Sequence, residues 1–133
     1  MRNNVYFVRC GDYGPSLPLA LDRLFALTGW LDHAALDGKK VLLKPNLLTD
    51  REPGQAVTTH PELIRHLLRK LKPTGARLEV GDSPASTANL HAVWQATGLA
   101  AVCAEEGVPL VSFEQAGVRA FERGGFAFSV ARP

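Results

Sequence analysis

The chain has 133 residues, 46% of them hydrophobic and 21% charged, which is the balance of one globular domain rather than of a disordered segment. Its formal net charge is +2 and its basic residues are scattered, so the electrostatic footprint of a nucleic-acid binder is missing. Two distant cysteines, Cys10 and Cys103, make no disulfide framework, zinc motif or cluster motif. They fit a reduced, cytoplasmic protein. Met1 to Pro15 lacks the apolar stretch of a signal peptide, and no window approaches the roughly 18 apolar residues that cross a bilayer, so no membrane partner is expected.

In chain order, Val5-Tyr6-Phe7-Val8-Arg9-Cys10 is β-branched and aromatic and predicts a strand, broken by Gly11-Asp12-Tyr13-Gly14-Pro15. From Ser16, Leu17, Leu21, Leu24, Phe25, Leu27 and Leu31 form a helical stripe that ends before the turn Asp37-Gly38. Val41-Leu42-Leu43 is a short apolar run suited to a parallel strand buried on both faces, and Lys44-Pro45-Asn46 ends it. A polar loop, Leu47 to Val57, precedes Thr59-His60-Pro61-Glu62. There Thr59 can cap a helix, Glu62 can reach back and proline is tolerated in the first turn. Leu63, Ile64, Leu67, Leu68 and Leu71 give that helix its buried face, and Pro73-Thr74-Gly75 stops it. Arg65, Arg69, Lys70 and Lys72 fall on or beside it as a solvated face with favourable charge near its C-terminus.

Arg77-Leu78-Glu79-Val80 predicts the next strand, with Gly81-Asp82-Ser83-Pro84 as its exit loop. Ala88 to Gly98 and Ala100 to Glu106 read as helices, with Val93, Trp94 and Leu99 in the core. Trp30 is also expected in the core or between helix and sheet. Val108 to Phe113 predicts a further strand, and Val118 to Val130 a hairpin around Gly124-Gly125. Strands alternating with helices imply right-handed crossovers and an α/β fold: a three-layer, Rossmann-like sandwich with a mostly parallel sheet and a C-terminal β-hairpin. Residues 1–133 form one such domain, expected to be incomplete and to be the N-terminal part of a longer protein.

Ligands of an open parallel sheet bind at the carboxyl ends of its strands. That rule selects Gly11 to Gly14, Lys44 to Asn46 running into Thr58 and Thr59, and Gly81 to Pro84 running to Ser86 and Thr87. Lys44 brings a compact positive charge, Asn46 a donor and an acceptor, and the helix after Thr59 its dipole and free N–H groups. Together they suit a small phosphate or carboxylate. Each residue also has a plain structural reading, as a solvated strand end, an Asx turn and a cap. Asp82 could bind a cation, accept a proton, orient Lys44 or cap the next helix. Ser83 has no activating base, and Gly81-Asp82-Ser83-Pro84 is not a nucleophile elbow. No dinucleotide fingerprint or P-loop follows any strand. His33, His60, His66 and His91 show no zinc spacing, and His60 lies beside the candidate edge. Cys10 ends the first predicted strand, and a buried, inert thiol is expected there.

Four stretches carry a family resemblance: Val41 to Leu48; Thr58 to Glu62; Gly75-Ala76 with Val80 to Pro84; and Thr97-Gly98-Leu99 with Glu106-Gly107-Val108. In order and spacing the chain resembles the bacterial and archaeal family called domain of unknown function 362. The matching positions are Lys44, Asn46, Thr58, Thr59, Gly81, Asp82 and Ser83. The resemblance implies a longer protein with a second lysine- and asparagine-bearing half, often joined to a ferredoxin-like module holding [4Fe–4S] clusters. Two cysteines cannot supply the four thiolates of such a cluster, so no cofactor is expected in this chain and a cluster would belong only to a missing C-terminal part. Three functions follow as expectations: a half-site of an iron–sulfur-linked redox protein, a non-catalytic module for a small anion, or a fragment that oligomerises or needs its missing half.

Overall fold

In the computed structural model, residues 4–83, 89–114, 118–123 and 126–131 are described, the last two stretches by backbone alone. Helix α1 (Ser16–Thr28) and the single turn α2 (His33–Leu36) precede strand β1 (Lys40–Leu43). Helix α3 (Pro61–Leu71) leads through a turn of 3-10 helix to strand β2 (Arg77–Asp82). Helices α4 (Leu90–Ala96) and α5 (Leu99–Glu106) precede β3 (Leu110–Ser112), and β4 (Val118–Arg123) pairs antiparallel with β5 (Phe126–Ala131). The sheet is parallel with the order β1-β2-β3, in the register Val41 to Leu78 and Val80 to Leu110. This is a small α/β fold with a parallel sheet and a C-terminal hairpin, as the sequence predicts.

Strand parity puts Val41, Leu43, Leu78 and Val80 on one face of the sheet, because successive side chains alternate. That face meets Ile64, Leu68 and Leu71 of α3, Val93 of α4 and Leu99, Val102 and Cys103 of α5. Fully burying one such leucine or valine is worth about 1.5–3 kcal/mol, so this cluster dominates the stability. Helix α1 packs on α3: Leu17, Leu21 and Phe25 bury against Leu63 and Leu67. The other sheet face carries Lys40 and Glu79, paired at 3.1 Å.

Three expectations are corrected. Residues 4–10 are not a strand: they run exposed, with Val5 94% and Phe7 86% accessible. β-propensity records fit to a pleated, half-buried surface, and no described strand offers that segment a ladder. Trp30 is not core; it is 67% exposed and parallel to Phe25, with ring centroids 6.3 Å apart. In the α1 stripe, Leu27 is exposed, because only a narrow face of the helix meets α3. The turn α2 is an addition, started by Asp32, whose carboxylate accepts from the amides of Ala34 and Ala35.

The basic row of α3 is bonded rather than merely solvated. Arg69 Nε and Lys72 Nζ each lie 2.7 Å from the buried carboxylate of Glu106 on α5, and Arg65 pairs with Glu62 and Glu105. Lys70 pairs with Asp22 of α1. One helix edge thus ties α3 to both neighbours. Lys72 first, then Arg69, hold the Glu106 carboxyl below its ordinary value of 4.5, against the opposing effect of burial. A carboxyl depressed in the folded state adds stability that is fully present above its unfolded value and is lost as pH falls through its folded one. Urea unfolding should therefore show a falling midpoint below about pH 4.5, and Glu106→Gln should be less stable at pH 7 with a shallower acid loss. An unchanged acid limb in that variant would show that the network contributes nothing.

Candidate functional site

Strand β2 extends through Gly81 and Asp82, which the sequence reading placed in an exit loop; both are buried. A Cβ on Gly81 would lie 2.6 Å from Val111 O and Val111 Cγ2 and 2.8 Å from the Phe113 ring. The residue is glycine because β3 and the segment after it pass too close for any side chain. By parity Asp82 falls on the helix-covered face. Its Oδ2 accepts from the Leu47 amide at 2.9 Å, and its Oδ1 lies 2.7 Å from Lys44 Nζ. The Asp82 side chain is 4% exposed and that of Lys44 54%. The Nζ–Oδ1 contact is an ion pair between a buried carboxylate and a half-exposed ammonium. Of the roles open to it, Asp82 is seen paired with Lys44, and Asn89, not Asp82, caps α4.

The start of α3 differs from the capping box expected. Thr59 is not the cap: its hydroxyl accepts from the Asn46 amide at 2.9 Å, and its own amide donates to Asn46 O at 2.9 Å. His60 is the N-cap, with Nδ1 accepting from the Glu62 amide at 3.3 Å. The Glu62 side chain turns to Arg65 instead of reaching back. The helix end also lacks the free donors expected of it. Pro61 has no N–H, the Glu62 amide is taken by Nδ1, and the Leu63 amide donates to His60 O. The dipole remains, but the first N–H groups are spent.

The loop 11–14 joins the same edge where Tyr13 stacks on His60, with centroids 3.8 Å apart and planes 8° from parallel. The Asp12 carboxylate fixes the loop, accepting from the amides of Gly14 at 2.7 Å and Ser16 at 3.2 Å. Bonding to Ser16, through its hydroxyl first and its amide next, holds the Asp12 carboxyl below the ordinary range. Cys10 is exposed, which corrects the buried thiol expected. Its sulfur donates to Asp12 O at 3.1 Å, and it lines a cavity of about 300 Å³ with Tyr13, Leu17 and Leu63.

The structure therefore brings Lys44, Asn46, Thr59, Gly81 and Asp82 into one linked cluster. Thr58 lies beside it with a buried hydroxyl that has no partner among the described residues. Ser83 is exposed and unattached to it, and Pro84, Ser86 and Thr87 lie outside the described residues. Sequence reasoning missed the Leu47 amide and, within the selected loop, the stack of Tyr13 on His60: a backbone donor carries no residue signal, and a tyrosine in a glycine loop resembles any exposed aromatic. Among the described residues no group of three histidine, cysteine or acidic side chains could hold a metal ion.

Two predictions follow from these geometries. Gly81→Ala should cost about 1–3 kcal/mol in denaturant unfolding, because the added methyl meets strand backbone that cannot move aside. A midpoint within error of wild type would disprove the close-approach explanation. Cys103 is buried and its thiol is pushed up to about 11 by desolvation. Iodoacetamide on the native chain at pH 8 should alkylate Cys10 alone, with Cys103 reacting only after unfolding. Mass mapping of the labelled peptides reads the result.

No helix among the described residues is long and apolar enough to cross a membrane. No solved structure matches the chain. A thylakoid-associated protein of Synechocystis is 35% identical over 86 residues, covering 64% of this chain and 27% of the relative. The match thus spans about a quarter of that relative's length. Residues 41–133, which include all but the first residue of β1, the Lys44–Asp82 pair and the His60 cap, match the family described as domain of unknown function 362. That span is more than half of the chain, and the chain belongs to this family.

Proposed function

We propose that this chain supplies a half-site for a small phosphate- or carboxylate-bearing ligand at the carboxyl edge of its sheet. The observation that carries this reading is the half-exposed Lys44 ammonium, fixed at the end of β1 by the buried Asp82 carboxylate. An ammonium has three donors. Asp82 occupies one direction and leaves the others facing outward, where an anion oxygen can accept. Asn46, two residues on, has its backbone held by Thr59 and is exposed at the same edge. Asp82 is the positioning group, itself held by the Leu47 amide.

The half-site would serve a longer, iron–sulfur-linked redox protein. The match covers 27% of the relative, which supports the longer protein, while the iron–sulfur link is only what the family resemblance implies. Cluster binding does not fit the residues present, since an exposed Cys10 and a buried Cys103 are the chain's two thiols. Cysteine usage suits the cytoplasm, and the thylakoid-associated relative offers thylakoid association as a further setting.

Lys44→Ala alone would leave Asp82 buried without its counter-charge, which destabilises by up to about 3–5 kcal/mol for a fully buried partner and by less here, where water reaches Nζ. The sharper test pairs Lys44→Met with Asp82→Asn. The asparagine oxygen can still accept from the Leu47 amide, and no charge is stranded. Calorimetric titration with inorganic phosphate should show binding to wild type and its loss in the double variant. Equal binding by both would disprove the clamp.

A further inference from the structure

We propose that His60 is a second ligand-holding group of this edge, donating Nε2–H to the anion that Lys44 attracts; the inference rests on the half-site reading above. Its first support is the tautomer. The Glu62 amide donates to Nδ1 at 3.3 Å, so Nδ1 carries the lone pair and the neutral ring carries its proton on Nε2, on the opposite side. Its second support is orientation. Tyr13 lies flat on the ring at 3.8 Å and holds its plane, and a flip within that plane would break the cap. Its third is placement. Thr59, the preceding residue, is bonded twice to Asn46, two residues beyond Lys44, so His60 and Lys44 belong to the two chain segments stapled together at the edge.

Capping does not explain the choice of residue. Asparagine, aspartate, serine and threonine cap better than histidine, and threonine stands one position earlier, used for another bond. An imidazole adds a second polar atom beyond the cap. Among the described residues nothing accepts from Nε2, and the side chain is only half-buried. The backbone of the helix end has spent its donors, so this N–H is the donor that α3 still offers.

Two substitutions in the full chain separate the roles. His60→Asn keeps an acceptor for the Glu62 amide but ends short of the Nε2 position. His60→Gln places an amide donor near the Nε2 position and gives up the cap. With inorganic phosphate as the probe, His60→Asn should melt close to wild type and bind about tenfold more weakly, the loss of one charge-assisted hydrogen bond. His60→Gln should melt lower yet bind more tightly than His60→Asn. In wild type, phosphate should shift the ¹⁵N resonance of Nε2. If His60→Asn binds as wild type does, or His60→Gln binds worse than it, His60 is a cap only and the inference falls. If wild type binds and the neutral Lys44/Asp82 double variant does not, the half-site survives that failure. If wild type shows no phosphate binding at all, both readings fail together.

Discussion

The buried carboxylate of Asp82 is the constraint on which this edge of the molecule depends. A charge that is 3% exposed must be compensated, or its ionised form costs several kcal/mol. Two elements compensate it. Lys44 comes from the end of β1, and the Leu47 amide comes from the loop that follows. Because both belong to the chain leaving β1, one side chain on β2 fixes the course of that exit. Asn46, between them, is then in place to bond Thr59, and that bond sets the start of α3. A strand end, a loop and a helix start are thereby positioned by one carboxylate and one hydroxyl.

Helix α3 carries this order into the rest of the fold. Ile64, Leu68 and Leu71 face the sheet and α5, Leu63 and Leu67 face α1, and Arg65, Arg69 and Lys72 reach the acids of α5. Three kinds of contact act on one eleven-residue helix. The apolar faces supply the energy, while the ionic edge, with partly exposed bases, adds little energy and limits how α5 can slide along α3. Displacing α3 would therefore disturb the core, the α1 layer and the sheet edge together.

The architecture was legible because period and punctuation agree over most of the chain. Val41 to Leu43, the five apolar positions of α3, and the glycines before and after α5 all lie where the pattern requires. Residues 4–10 were misread because β-branched and aromatic composition says nothing about whether a neighbour is present to pair with. The candidate edge was legible as a place, through the strand-end rule, but its wiring was not. Whether Thr59 or His60 caps α3 depends on a one-residue shift, and sequence periodicity cannot resolve that. Gly81 looked like a loop glycine and is a strand glycine, since its reason lies in Val111 and Phe113, thirty residues on.

In the proposed half-site, the pairing of Lys44 with Asp82 would also limit what kind of recognition is possible. The two charges nearly cancel at a distance, so the pair exerts little long-range pull on an anion, and capture would not depend on electrostatic steering. What remains is short-range: directed N–H donors that act only on a ligand already in place. Such donors discriminate by geometry, because an oxygen set at the wrong spacing leaves one of them unsatisfied at a cost of about 1–3 kcal/mol. Neutralised charge with fixed donors thus favours selectivity over affinity. Tight binding would then require further donors closing over the ligand from outside this edge.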